Sequence, residues 1–462
     1  MSLDGGPGGL LASPLGCGPA AAAARFVPYG GGPAVEKTAK VTVAALLPGL
    51  TCPGPLPFAP QLRVGGSTHR AGRPSSFSTV LQRRDGEQLP ARFSVTLPAG
   101  LSTALGTVHP CPEPVAASGE CPAASRVGSV RAVAGSGQSL AALSGSAYLA
   151  GPYKRAPFSL VMALRAAIGP FDLGTVAFRA AAQIDGRTGR VTMSADHLPD
   201  VIEGVAVRFR TIEFNLDRPG LVRNPTSCTP HTVDATIEAQ GGGSVALASP
   251  FPVTGCKKLG FRPRIRMALT DGRRLRKHAG VGLRVSAHLR RADTTLRSLE
   301  LSLPPAIGLD ISKLKEICSR RDAAEGLCPE DSRVGTSSVR TALLDRPLQG
   351  SVYVVQPKGN GQPDLSVSLA TTGIRLSLGG TTVNDHGRFV TKLAGLPDMP
   401  LSDFTMRLGS GSNSLLSLAV NPCVDGRPRR LEARFAAEGQ NGVRRSSPLP
   451  IEMKPNCGSP GK

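Results

Sequence analysis

Short runs in which apolar and polar side chains alternate recur along the whole chain, each bounded by Gly, Pro or Asp. Alternation with a period of two marks strands that bury one face. It predicts strands over 92–97, 158–164, 175–184, 190–194, 205–214, 233–237 and 245–248. Asp185-Gly186 with Gly189, lying between two such runs, predicts a hairpin, because glycine accepts the positive φ that tight turns demand. Asn384-Asp385-His386-Gly387 holds the corresponding place nearer the C-terminus. Leu97-Pro98 and Leu303-Pro304-Pro305 end strands, since proline cannot donate to a ladder. Helical spacing is confined to 311–318, enough for one or two turns, expected inside the short disulfide loop.

The pattern occurs twice. Cys121-Pro122 followed by Ser125-Arg126-Val127-Gly128 returns as Cys328-Pro329 followed by Ser332-Arg333-Val334-Gly335. Gly145-Ser146-Ala147-Tyr148 returns as Gly350-Ser351-Val352-Tyr353, and Leu198-Pro199-Asp200 as Leu396-Pro397-Asp398. Asn224-Pro225 before Cys228 matches Asn421-Pro422 before Cys423, Ser249-Pro250 matches Ser447-Pro448, and Phe58-Ala59-Pro60 matches Phe261-Arg262-Pro263. Six markers in one order define a tandem duplication. The expected units are 57–258 and 259–458, with a tail at 459–462. Residues 1–56 read as the C-terminal fragment of a preceding repeat, because Cys17 and Cys52 lead into Phe58 as Cys228 and Cys256 lead into Phe261. Units of about 200 residues with roughly ten strands each predict an all-β fold of tandem immunoglobulin-like β-sandwiches with little or no helix. Whether a unit is one large sandwich or two small ones stays open.

All 10 cysteines fall into pairs by position in the repeat. Cys111 with Cys121 matches Cys318 with Cys328, and Cys17/Cys52, Cys228/Cys256 and Cys423/Cys457 form a second class. Zinc sites need closely spaced cysteine knuckles, and none occurs, so the pairs read as disulfides formed in an oxidising compartment. Residues 1–26 lack the basic start of a signal peptide, the first cation being Arg25. The expectation is therefore a natural chain that begins upstream with a signal peptide. Leu15-Gly16-Cys17 only faintly fits a lipoprotein cleavage box, since Pro14 is wrong for one.

Charge alters this picture more than bulk composition does. The chain carries 54 Lys and Arg against 33 Asp and Glu, a net +21. Much of that excess matches the Arg, Ala, Gly and Pro richness that a GC-rich genome imposes. Residues 257–300, however, hold thirteen Lys and Arg against three acids. Within them Arg262, Arg264 and Arg266 alternate and would share one strand face; Arg273, Arg274, Arg276 and Lys277 follow. Two readings stand: a solvated outer strand whose charges deter edge pairing, or a contact surface for an anionic envelope polymer. Nucleic acid is disfavoured, as Trp is absent and 4 Tyr supply few stacking platforms.

Candidate chemistry is sparse. The seven histidines (His69, His109, His197, His231, His278, His288, His386) form no metal-ligand motif. No nucleophile elbow, Walker loop or dinucleotide fingerprint is present, so no cofactor is expected. Asp196 and Asp200 flank Leu198-Pro199, and only Asp200 has a counterpart, Asp398; turn capping is the expected role. Asn224-Pro225-Thr226 fails as a glycosylation sequon because of its proline. The motifs Leu-Pro-x-Gly-Leu, Cys-Pro with Ser-Arg-Val-Gly, Leu-Pro-Asp and Asn-Pro-Thr-Ser-Cys resemble those of uncharacterised secreted, cysteine-paired repeat proteins of GC-rich actinobacteria, over residues 57–457. The resemblance implies export and repetition but no activity; in place of Asn-Pro-Thr-Ser-Cys the second copy has Asn-Pro-Cys. The function expected is a non-enzymatic extracellular or envelope protein with a structural or adhesive role. A carbohydrate-binding module comes second, disfavoured by the lack of Trp, and a hydrolase without a recognisable site third.

Overall fold

The computed structural model describes residues 17–44, 56–136, 139–168, 171–202, 205–270, 275–342, 344–359, 361–371, 374–409 and 414–457. Its architecture is all-β. An N-terminal body is one ladder of eleven strands between residues 61 and 250. In spatial order they are Ser244–Pro250, Thr232–Ala239, Pro90–Thr96, Val191–Ala195, Phe171–Ile184, Phe158–Ile168, Ser139–Ala150, Arg126–Ser136, Phe209–Leu216, Phe77–Gln82 and Gln61–Gly65. A C-terminal body uses the equivalent eleven in the same order, from Arg444–Glu452 through Glu432–Gly439 and Leu296–Ser302 to Leu401–Leu408, Leu283–His288 and Arg264–Leu269. There the first and last strands pair in parallel, Met267 opposite Ile451, and close a barrel.

The closed ladder is lined by large apolar side chains. Met267, Leu283, Val285, Leu299, Val367 and Leu408 converge inside the C-terminal barrel, and Val95, Val130, Leu160, Met162, Ile212 and Ile237 inside the N-terminal body. Eight strands already enclose a space that side chains just fill, so a round barrel of eleven would leave a wide lumen. The voids are only about 70 and 40 Å³. Each body is therefore flattened, with opposite parts of one ladder packed as the two layers of a sandwich. The inside is apolar and the outside carries charges, the inverse of a lipid-facing barrel. No helix among the described residues is long and apolar enough to cross a membrane.

The repeated glycines have a steric cause. A Cβ on Gly145 would overlap the carbonyl oxygen of Ala163 in the next strand, and one on Gly350 the carbonyl of Ser368. Gly128 and Gly335 stand in the same relation to the carbonyls of Asn215 and Arg407. The motifs thus mark places where neighbouring strands approach too closely for any side chain.

Disulfides join Cys111 to Cys121, Cys228 to Cys256, Cys318 to Cys328 and Cys423 to Cys457. Cys17 is also disulfide-bonded, while Cys52 lies outside the described residues. Each ten-residue loop docks on the end of a strand: the Cys111 amide donates to Leu149 O at 2.7 Å and the Cys318 amide to Val354 O at 2.9 Å. By restricting the unfolded chain, each crosslink contributes about 2–4 kcal/mol. The helical expectation needs correction. Residues 311–313 make a single 3-10 turn, and the short helix lies further on, at Arg320–Glu325 inside the disulfide loop. Its cap was readable: Ser319 Oγ accepts from the Asp322 amide three residues later.

Ahead of both bodies, Gly18–Phe26 and Val35–Val43 form an antiparallel hairpin that pairs with no other described strand. Its side chains are mostly exposed, Phe26 and Val41 among them.

If close strand approach is what the glycines serve, Gly350→Ala lowers unfolding free energy by about 1–3 kcal/mol in urea titrations. Gly379, whose Cβ would meet nothing within 4 Å, is the control. Gly379→Ala is neutral or stabilises by about 0.4–1 kcal/mol.

Candidate functional site

The strand Arg264–Leu269 alternates as the sequence implies, with Ile265 and Met267 buried and Arg264 and Arg266 exposed. Arg262 is exposed just before it, and its amide donates to Asp293 Oδ2. Arg276 and Lys277 are exposed beyond the far end of the strand; Arg273 and Arg274 lie outside the described residues. What the chain order hides is that neighbouring strands extend the basic face. Arg264 stands beside His288, His288 beside Asp403, and Asp403 beside Arg340. Four residues along, Ala268 is beside Arg284 and Arg284 directly opposite Arg407. Like charges opposed across strands repel. Among the described residues Arg264, Arg266, Arg284 and Arg407 make no salt bridge. The one carboxylate in these rows, Asp403, is held below the usual carboxylate range, chiefly by the hydrogen bond from His288.

A second constellation joins the two bodies. Asp398, from the Leu-Pro-Asp motif, is only 8% exposed. Its carboxylate accepts from the Thr226 amide at 2.7 Å, the Thr226 hydroxyl at 2.6 Å and the Ser227 amide at 3.0 Å, all from the other body. The Thr295 hydroxyl donates as well. The Thr226 oxygen in turn accepts from the Thr295 amide at 3.1 Å. Asp398 is therefore no turn cap: Leu-Pro-Asp of one body clasps Asn-Pro-Thr-Ser of the other. Asp200, its counterpart in the N-terminal body, is exposed.

The remaining polar groups have structural work. His231 is buried and contacts Ser227 O at 3.0 Å. Asp196 accepts from the Tyr153 hydroxyl at 2.6 Å and pairs with Lys154 in a turn where Lys154 and Arg155 have positive φ. That hydrogen bond, more than burial, raises the Tyr153 pKa. No group of three His, Cys, Asp or Glu suited to hold a metal occurs among the described residues.

No protein-family model matches the chain, and no curated protein matches it. Among solved structures, the partial N-terminal region of an enterococcal surface protein is 6% identical, with a TM-score of 0.19 over 88% of this chain and 97% of that one. A membrane-anchored protein from Corynebacterium diphtheriae, itself described as putative, is 8% identical, with a TM-score of 0.19 over 96% of this chain and 97% of that one. Likenesses at these scores carry no argument about role or ligand.

Asp398→Asn turns an amide NH2 toward donors and leaves one or more of them unmet. The cost is about 1–3 kcal/mol. It appears in calorimetry as the separation of one cooperative transition into two, one for each body.

Proposed function

We propose that this is a non-enzymatic extracellular or envelope protein with a structural and adhesive role, built of repeat units divided near residue 258, and that the outer face of its C-terminal barrel contacts an anionic polymer. The observation that carries the reading is the row containing Arg284 and Arg407. Two arginines opposed across adjacent strands, with Arg266 nearby and no salt bridge to any of the three among the described residues, form a surface whose repulsion an anion relieves. The disulfides fit the oxidising surroundings of an exported protein. On this reading the Gly18–Phe26 hairpin is the closing strand pair of a preceding unit, since it follows Cys17 as Thr232–Ala239 follows Cys228.

Binding of the full chain to a soluble polyuronate tests this reading. Affinity should fall steeply as ionic strength rises, because exposed charges are screened beyond about 10 Å at 0.1 M salt. Changing Arg266, Arg284 and Arg407 together to Ser should weaken binding roughly tenfold, as loss of three contacts of about half a kcal/mol each would. The melting temperature should hold or rise. The exposed set Arg63, Arg131 and Arg187, changed in the same way, controls for net charge. Equal losses from both sets would mean that bulk charge alone attracts the polymer.

A further inference from the structure

A separate group of cations lines a groove of about 870 Å³ where the two bodies meet. Arg70, Arg73 and Arg223 of the N-terminal body, Lys258 of the connecting segment and Arg291 of the C-terminal body all line it. No carboxylate lines this groove, and none of the five makes a salt bridge among the described residues. Arg223 is half-buried; burial first, then the neighbouring Arg291 and Arg73, pull its pKa below the usual guanidinium value.

The fold places these side chains deliberately close. Asn224 donates through Nδ2 to Thr68 O at 2.7 Å and Arg70 O at 3.1 Å. The Asn224 amide donates to Arg73 O, the Gly72 amide to Pro225 O and the Ala71 amide to Thr254 O. The segment bearing Arg70 and Arg73 is thereby fastened beside Arg223. Duplication supplies an internal comparison. By ladder register, Arg223 and Arg73 correspond to Ser417 and Ala279 in the C-terminal body. Arg291, two residues after the amide that continues its strand's ladder, corresponds to Asp85 in the N-terminal body. Arg73, Arg223 and Arg291 thus occur only in the copy of each position that faces the junction, whereas Arg70 has an arginine, Arg276, at its counterpart.

Mutually repelling guanidiniums are held together at a point where replacement by Ser, Ala or Asp is compatible with the fold. We infer that the groove is an oxyanion site for phosphate groups, and that its occupant ties the two bodies together. Phosphate fits better than carboxylate: it presents enough oxygens for several guanidinium forks at once, where a carboxylate is filled by one. The site draws on both bodies, so occupancy and docking are thermodynamically linked, and each strengthens the other by the same factor. It is independent of the outer arginine face.

Isothermal titration of inorganic pyrophosphate into the full chain at low salt should show one site per chain. Arg223→Gln and Arg291→Gln should each weaken it by about tenfold or more, the loss expected for a charge-assisted contact. Changing Arg266, Arg284 and Arg407 to Ser should leave it unchanged. Asp398→Asn should weaken it several-fold by loosening the joint. Arg291 is exposed, so its variant keeps the test decisive should Arg223→Gln misfold. A parallel titration with polyphosphate separates sources: binding of polyphosphate alone, with the same sensitivity to the two arginines, assigns the site to a phosphate polymer. Absence of binding to both probes, or binding indifferent to Arg223 and Arg291, overturns the inference. Either result leaves the polyuronate reading of the outer face to be judged by its own variants.

Discussion

A carboxylate taken out of water needs donors in place of its hydration shell, and Asp398 finds four of them. Three belong to the other body and one to its own. This requirement fixes how the bodies meet, because small displacements would break several charge-assisted hydrogen bonds at once. The junction then sets the rest. Arg291, four residues before Thr295 of that network, lines the groove that also holds Arg73 and Arg223. Met399, next to Asp398, approaches Gly189 in the hairpin turn of the N-terminal body.

Each body supplies a stiff element for this joint. The C-terminal ladder closes on itself and leaves few unpaired edges, an apolar interior holds the layers of both bodies together, and disulfide loops pin strand ends. Repeats of this kind are ordinarily bound to their neighbours through polar surfaces of modest size, which leaves relative motion as the default. A buried, multiply donated carboxylate is a means of suppressing that motion. The exposed Asp200 shows the same motif without an engaged partner among the described residues.

Much of the fold was legible in the residues. Period-two alternation located strands because one face of each is buried, and the positions of the cysteines within the repeat sorted them into pairs. The repeated glycines were visible as markers, though only the neighbouring carbonyls explain them. Closure into a flattened barrel was not legible, since it depends on Met267 meeting Ile451 across the whole length of the body. The basic face was half legible: alternation aligned Arg264 with Arg266, but Arg340 and Arg407 join them by strand order. Asp398 was misread as a turn cap because its partners lie 171 and 172 residues away. The groove was missed for the same reason, its arginines being scattered from 70 to 291 and united only by the junction.

Small-angle X-ray scattering of the full chain in solution tests the central claim most directly. If the clasp holds the two bodies in one arrangement, a single rigid arrangement of 56–457 accounts for the scattering of that part, and the Asp398→Asn chain shows a larger radius of gyration. Scattering that requires a broad range of relative orientations in the unaltered protein, unchanged by Asp398→Asn, would contradict it.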